Sequence, residues 1–281
     1  MSVRIILDSA CDLPKGLAEH FTIIPLTVRF GETEYRDGVD LGREEFYEKL
    51  VESDTLPTTS QANPAMFAQV FEEVAAAGDT AVVLSVSAEL SGTYQSAVIA
   101  AEDFPGTVHV VDSRSVAVGM GILAQYALTL RDRGLPAFEL AVELNRVKEK
   151  VTVVALFDTL EYLRRGGRIS KTAAIAGSML SIKPVMAIRD GAIVPLGKAR
   201  GSRQGNNLLV KEIEAVGGVD FDMPLLLGYS GLSDVLMRKY IEDSAHLWQD
   251  YAAELPTAII GSAVGTHAGP GAVAVAFFRK G

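Results

Sequence analysis

The sequence predicts an α/β protein arranged in two lobes. Short apolar runs alternate with segments of helical period along the whole chain, turn and capping residues punctuate the joints, and the texture changes near residue 158. Taken in order, the apolar runs at 3–7, 23–30, 81–86 and 108–111 read as strands. Helical segments lie between and after them at 44–51, 65–76, 94–102 and 116–131. The second of these is best signalled. Asn63 is a good N-cap, Pro64 suits a first helical position whose N–H has no partner anyway, and Gly78 marks the end. A helix at 138–150 leads into a strand at 151–157. The segment EYLRRGGRIS that follows is basic and carries glycines, with helical periods on both sides at 160–164 and 172–180. Runs at 184–189 and 192–196 flank Asp190-Gly191, a dipeptide suited to a tight hairpin turn. Alternation then resumes with helix 206–215, strand 225–229, helix 234–251 and strands 258–264 and 273–278. The lobes are expected at 1–157 and 158–281, closely packed, because no low-complexity linker separates them.

Composition narrows the function classes. A hydrophobic share of 48% and a charged share of 22% over 281 residues fit a globular chain rather than a disordered one. A net charge of −9 disfavours nucleic acid, whose binders carry a basic surplus. The dense basic clusters are Arg164, Arg165, Arg168 and Lys171, then Lys198, Arg200 and Arg203, and such clusters are ordinarily solvated faces. No apolar run approaches the roughly 20 residues that span a bilayer, so stable membrane insertion is not expected. The opening MSVRIILDSACDLP lacks signal-peptide features, and one cysteine, Cys11, excludes an internal disulfide. A cytoplasmic monomer is the expectation.

The clearest candidate for chemistry is SVSAELSGTYQSA, which sets Ser91, Gly92 and Thr93 between a strand and a helix. Backbone N–H groups at a helix start favour an anion, a glycine lets a ligand approach the backbone, and Ser91 adds a hydroxyl. The same pattern is also an ordinary N-cap. Thr58, Thr59 and Ser60 precede the next candidate helix start and read equally well as caps. His267 falls in the glycine-rich GSAVGTHAGPGA, expected as an irregular loop between strands. Its imidazole is able to donate a hydrogen bond to a carboxylate.

Other chemistries find little support. The four histidines, His20, His109, His246 and His267, show no paired spacing and there is no second cysteine, so no metal site is expected. A P-loop is missing. Gly119, Gly121 and Ala124 imitate a dinucleotide fingerprint inside an apparent helix. Gly228-Tyr229-Ser230-Gly231 only imitates a nucleophile elbow. No cofactor is expected. A hydrolase or acyl transferase using Ser91, His267 and an aspartate such as Asp112 stays open as an alternative.

The segments DSACDLP, TTSQ, LSGTYQSA, VVDS, TLEYLRRGGRIS, SIKP, the K-x-R at Lys198–Arg200 and IGSAVGTHAGPGA, in this order, resemble the DegV family almost end to end. The resemblance implies two α/β lobes with a lipid channel between them. It implies a carrier, not an enzyme: one that binds a long-chain fatty acid and presents it to a separate fatty acid kinase subunit for acyl phosphate formation. By position, Thr59, Ser91, the Gly92 amide and His267 resemble the family's carboxylate contacts. Arg168 resembles the arginine near the channel mouth, and Arg200 the one that works with the kinase. The basic clusters then become a candidate partner face. The chain departs from the pattern at Ala274, where relatives carry glycine, and at Ala62, where proline is common.

Overall fold

The computed structural model describes residues 2–169, 182–251 and 253–280. The chain runs through β1 (Val3–Asp8), β2 (Thr22–Ile24), β3 (Thr27–Phe30), β4 (Thr33–Arg36), α1 (Arg43–Glu52), β5 (Thr58–Ser60) and α2 (Pro64–Ala76). It continues with β6 (Thr80–Ser85), α3 (Thr93–Ala101), β7 (Val108–Asp112), α4 (Val118–Asp132), α5 (Ala137–Val147), β8 (Val151–Leu156) and α6 (Glu161–Arg165). From residue 182 come β9 (Ile182–Arg189), β10 (Ala192–Arg200), α7 (Gly201–Ala215), β11 (Leu226–Tyr229) and α8 (Val235–Asp243). The last elements are β12 (Thr257–Ile259), α9 (Ser262–Ala268) and β13 (Val273–Phe278).

Three sheets result. A parallel sheet has the order β2-β1-β6-β7, and α3 makes the crossover from β6 to β7. A six-stranded mixed sheet has the order β10-β9-β8-β13-β11-β12. A small antiparallel sheet, β4-β3-β5, stands beside them. The α/β class read from the sequence is the one observed. β8 precedes residue 158 yet pairs with β9 and β13 in the six-stranded sheet.

Several elements differ from expectation for local reasons. The run at 23–30 is two strands in two sheets, because Pro25, with no N–H to donate, falls between them. The helix expected over 234–251 stops at Asp243, where Ser244 turns its hydroxyl back onto the Tyr240 carbonyl and accepts from Trp248 Nε1. The Asp190-Gly191 hairpin forms as read, with φ of 51° and 82°. The helix expected at 172–180 lies outside the described residues.

α4 is the buried spine between the parallel and six-stranded sheets, and every residue from 118 to 124 is buried. Its glycines serve packing. A Cβ at Gly121 would lie 2.0 Å from the Asp12 carbonyl oxygen, and one at Gly119 would lie 2.4 Å from Val153. The nucleotide-like glycine spacing is therefore a helix pressed against two sheets.

Candidate functional site

A cavity of about 420 Å³ opens where the carboxyl ends of the parallel strands, the start of α4 and the inner face of the six-stranded sheet meet. That volume is within the range of small-molecule sites, about 300–1,000 Å³. Most of its described wall is apolar, including Val118, Val153, Ala155, Met186 and Ala274. One end is polar: Thr59, Gln61, Ser91, Gly92, Arg168 and His267 gather there from segments far apart in sequence. Five of the six residues singled out above thus share one cavity. Arg200 does not. It is exposed at the junction of β10 and α7, where its backbone N–H donates to Gln204 Oε1 at 3.0 Å.

Thr59 reaches the cavity from a strand, not from the helix cap expected. β5 pairs with β3, Thr59 opposite Val28, and the two-residue period leaves Thr58 and Ser60 exposed and Thr59 half-buried, with Ser60 also bordering the cavity. His267 likewise corrects the expectation of an irregular loop. It occupies the last turn of α9, which Gly269 terminates at a φ of 68°. Thr59 Oγ1 and His267 Nε2 share a hydrogen bond of 2.8 Å. The other ring nitrogen, Nδ1, is buried without a partner among the described residues. Burial, reinforced by the Arg168 charge, pushes the imidazole pKa down to about 4, so His267 is neutral near pH 7.

Ser91 both lines the cavity and organises the helix start. Its Oγ accepts from the Thr93 N–H at 3.2 Å and shares a 2.8 Å hydrogen bond with Thr93 Oγ1. Gly92 lines the cavity and also abuts Gln61. A Cβ there would lie 2.1 Å from Gln61 Oε1, so the missing side chain makes room for Gln61, whose Nε2 donates to Ser96 Oγ at 3.1 Å. Sequence reading missed Gln61 as a lining residue. The signal was its place two residues after Thr59, on the same side of an extended chain.

Arg168 is half-buried and bridges the rim. Its Nε donates to the Leu90 carbonyl at 3.2 Å and Nη1 to the Gly166 carbonyl at 2.6 Å. Desolvation lowers its pKa, but a guanidinium stays protonated, so it puts a fixed positive charge beside the neutral imidazole.

The arrangement is not a nucleophile relay. Ser91 bonds to Thr93 and His267 Nε2 to Thr59, while Asp112 accepts from the Ala88 and Arg114 amides at 3.3 and 2.8 Å. No carboxylate among the described residues meets Nδ1. Among the described residues no group of three His, Cys, Asp or Glu is placed to hold a metal. Chemically the site presents hydroxyls, a helix start, an imidazole and a guanidinium to a largely apolar cavity. That suits an amphiphile with an anionic head.

Comparison with known proteins agrees with this shape. The DegV family model, described as an uncharacterised protein family, matches residues 2–280. A DegV domain-containing protein of Caldanaerobacter subterraneus subsp. tengcongensis is 32% identical, with 99% of each chain covered. A fatty-acid-binding DegV family protein from Thermus thermophilus superposes with a TM-score of 0.87 at 30% identity, covering 99% of this chain and 100% of that one. A stearic-acid-binding protein from Eubacterium ventriosum gives 0.84 at 29% identity, covering 100% and 99%. On sequence along nearly its whole length and on fold, the chain belongs to the DegV family.

Proposed function

We propose that the chain binds a long-chain fatty acid and presents its carboxyl group to a separate kinase subunit for conversion to an acyl phosphate. The observation that carries the binding reading is one cavity with a polar end at Thr59, Ser91, Gly92, Arg168 and His267 and an apolar remainder. The fatty acids named for its structural relatives support it. Head and tail contribute differently. Charge-assisted hydrogen bonds are worth about 1.5–3 kcal/mol each, whereas a buried methylene contributes about 0.8 kcal/mol. A long tail therefore supplies most of the affinity, and the polar end sets where the carboxylate stops. In this reading the chain performs no transfer itself. It acts as a monomeric cytoplasmic carrier, with Arg168 at the mouth and the exposed Arg200 meeting the kinase. No helix among the described residues is long and apolar enough to cross a membrane.

Extraction and mass spectrometry of the purified protein, followed by delipidation and rebinding of stearic acid, test the binding step. Protein that neither retains nor rebinds fatty acid refutes it. Mixing with a kinase partner and ATP tests presentation, with acyl phosphate as the expected product. Ser91→Ala is expected to depress that coupled reaction more than it depresses binding. Arg200→Ala is expected to impair phosphorylation with binding intact, and loss of lipid binding in that variant contradicts a docking role.

A further inference from the structure

Three aspartates are almost fully enclosed: Asp8 at 1% exposure, Asp12 at 0% and Asp37 at 4%. A buried carboxylate is costly unless hydrogen bonds meet it, so the partners of each show what it holds. Asp8 accepts from the Val86 N–H at 2.8 Å and from Ser85 Oγ at 3.0 Å, at the head of the loop that leads to Ser91. Asp12 accepts from the Gly261 N–H at 2.8 Å, just before α9. Asp37 reaches the first turn of α9 itself, taking the Ser262 and Ala263 N–H groups on its two oxygens at 3.2 Å each.

The position of Asp37 is the informative one. It directly follows β4, and its own N–H donates to the Leu26 carbonyl at 2.9 Å, which fixes it to the small sheet. In that sheet Thr27 of β3 faces Arg36 on one side and Ser60 on the other. The strand that leads to Asp37 and the strand that carries Thr59 are therefore held by the same central strand. α9 is seven residues long, about 10 Å from end to end at 1.5 Å per residue. The small sheet grips it at both ends, through Asp37 at the first turn and through Thr59 on His267 at the last.

We propose that Asp37 is a positioning residue for His267, holding α9 at the offset from β5 that keeps Nε2 within hydrogen-bond reach of Thr59 and both groups facing the ligand's head. The inference rests on the fatty-acid reading above. Asp37 itself does not line the cavity and makes no hydrogen bond to His267; it meets the backbone of Ala263 and Leu26, two lining residues, so its effect on ligand passes through the helix and the sheet it ties together.

The test separates head from tail by comparing stearic acid with stearyl alcohol, which share a tail, in the full-length chain. Wild type is expected to prefer the acid. Asp37→Ala, which leaves no acceptor for the first turn, is expected to lose about tenfold of that preference with the alcohol's Kd changed less than about twofold. Asp37→Asn keeps one acceptor oxygen and is expected to fall between. Nitrogen-15 shifts of His267 add a direct readout: the Nε2 signal is expected to move towards that of Thr59→Val in both variants. If Asp37→Ala does not fold, Asp37→Asn decides on the same two readouts. Acid preference and Nε2 shift unchanged, or equal weakening of acid and alcohol, overturns the inference while leaving the carrier reading intact. Wild type that binds neither lipid overturns the carrier reading and this inference with it.

Discussion

Gly166 has a φ of −70°, which any residue adopts, so the absence of a side chain there answers to a neighbour. A Cβ would lie 2.0 Å from His267 Nδ1. Gly166→Ala must therefore displace the imidazole or its own turn, at a cost of about 1–3 kcal/mol typical of overpacking. The expected outcome is a drop in denaturant midpoint together with weaker binding of fatty acid relative to the matched alcohol. A stable variant with unaltered selectivity would show that the ring has room to move. His267 and Asp12 should leave opposite marks on stability against pH. The His267 pKa is lowered from 6.5 to about 4, so the unfolded chain binds more protons between those values and stability falls as pH drops through them. The Asp12 pKa is raised by burial from 3.8 to about 7, so the folded chain binds more protons there and stability falls as pH rises through that window. His267→Gln is expected to flatten the acid-side loss and Asp12→Asn the loss towards neutrality, as read from melting temperatures between about pH 4 and pH 7. Variants whose profiles stay parallel to wild type contradict these assignments.

At the scale of elements, β8 and β13 build one wall of the tail cavity. Ala155 and Ala274 face each other across that antiparallel pair, and both line the cavity. Ala274 thus lies against the proposed ligand. Enlarging either residue should shorten the space along the wall. If Ala155→Leu or Ala274→Leu excludes two methylenes, a long chain loses about 1.6 kcal/mol, roughly fifteenfold in Kd. An eighteen-carbon acid should therefore be penalised more than a fourteen-carbon acid in competition binding. Equal penalties would place the tail elsewhere. Local signals explain which elements could be read. α2 begins where Asn63 and Pro64 announce it, with the Asn63 side chain accepting from the Met66 N–H, and β13 spans the 273–278 run read from its apolar residues. α9 escaped notice because what satisfies its first turn is Asp37, 225 residues away from Ser262 in sequence. No window along the chain contains that cap. Gln61 escaped because its role depends on the bare backbone of Gly92 beside it. Motif order brought Thr59, Ser91, Arg168 and His267 forward together, yet which hydroxyl meets the imidazole is decided by tertiary contact alone.

The cavity lies between the layers of the whole molecule, with walls from the parallel sheet's loops, α4, α9 and the six-stranded sheet. The same spine of α4 joins both sheets in one core, where Val82 and Leu84 pack with Leu226, Ala276 and Phe278. A ligand that fills this space touches parts of both layers, so unfolding either one must release it. Binding to the folded state alone stabilises by about 2.7 kcal/mol when free ligand is 100 times Kd. For a chain of this size each kcal/mol raises the melting temperature by about 2 °C, which gives a shift of about 5 °C. Delipidated protein is therefore expected to melt about 5 °C below protein with stearic acid at 100 times Kd, the gap widening with the logarithm of ligand concentration. Because the spine is shared, calorimetry should show one transition that moves as a unit. Two transitions, with only one following the ligand, would mean that the cavity is formed by a single layer and that the lobes open independently.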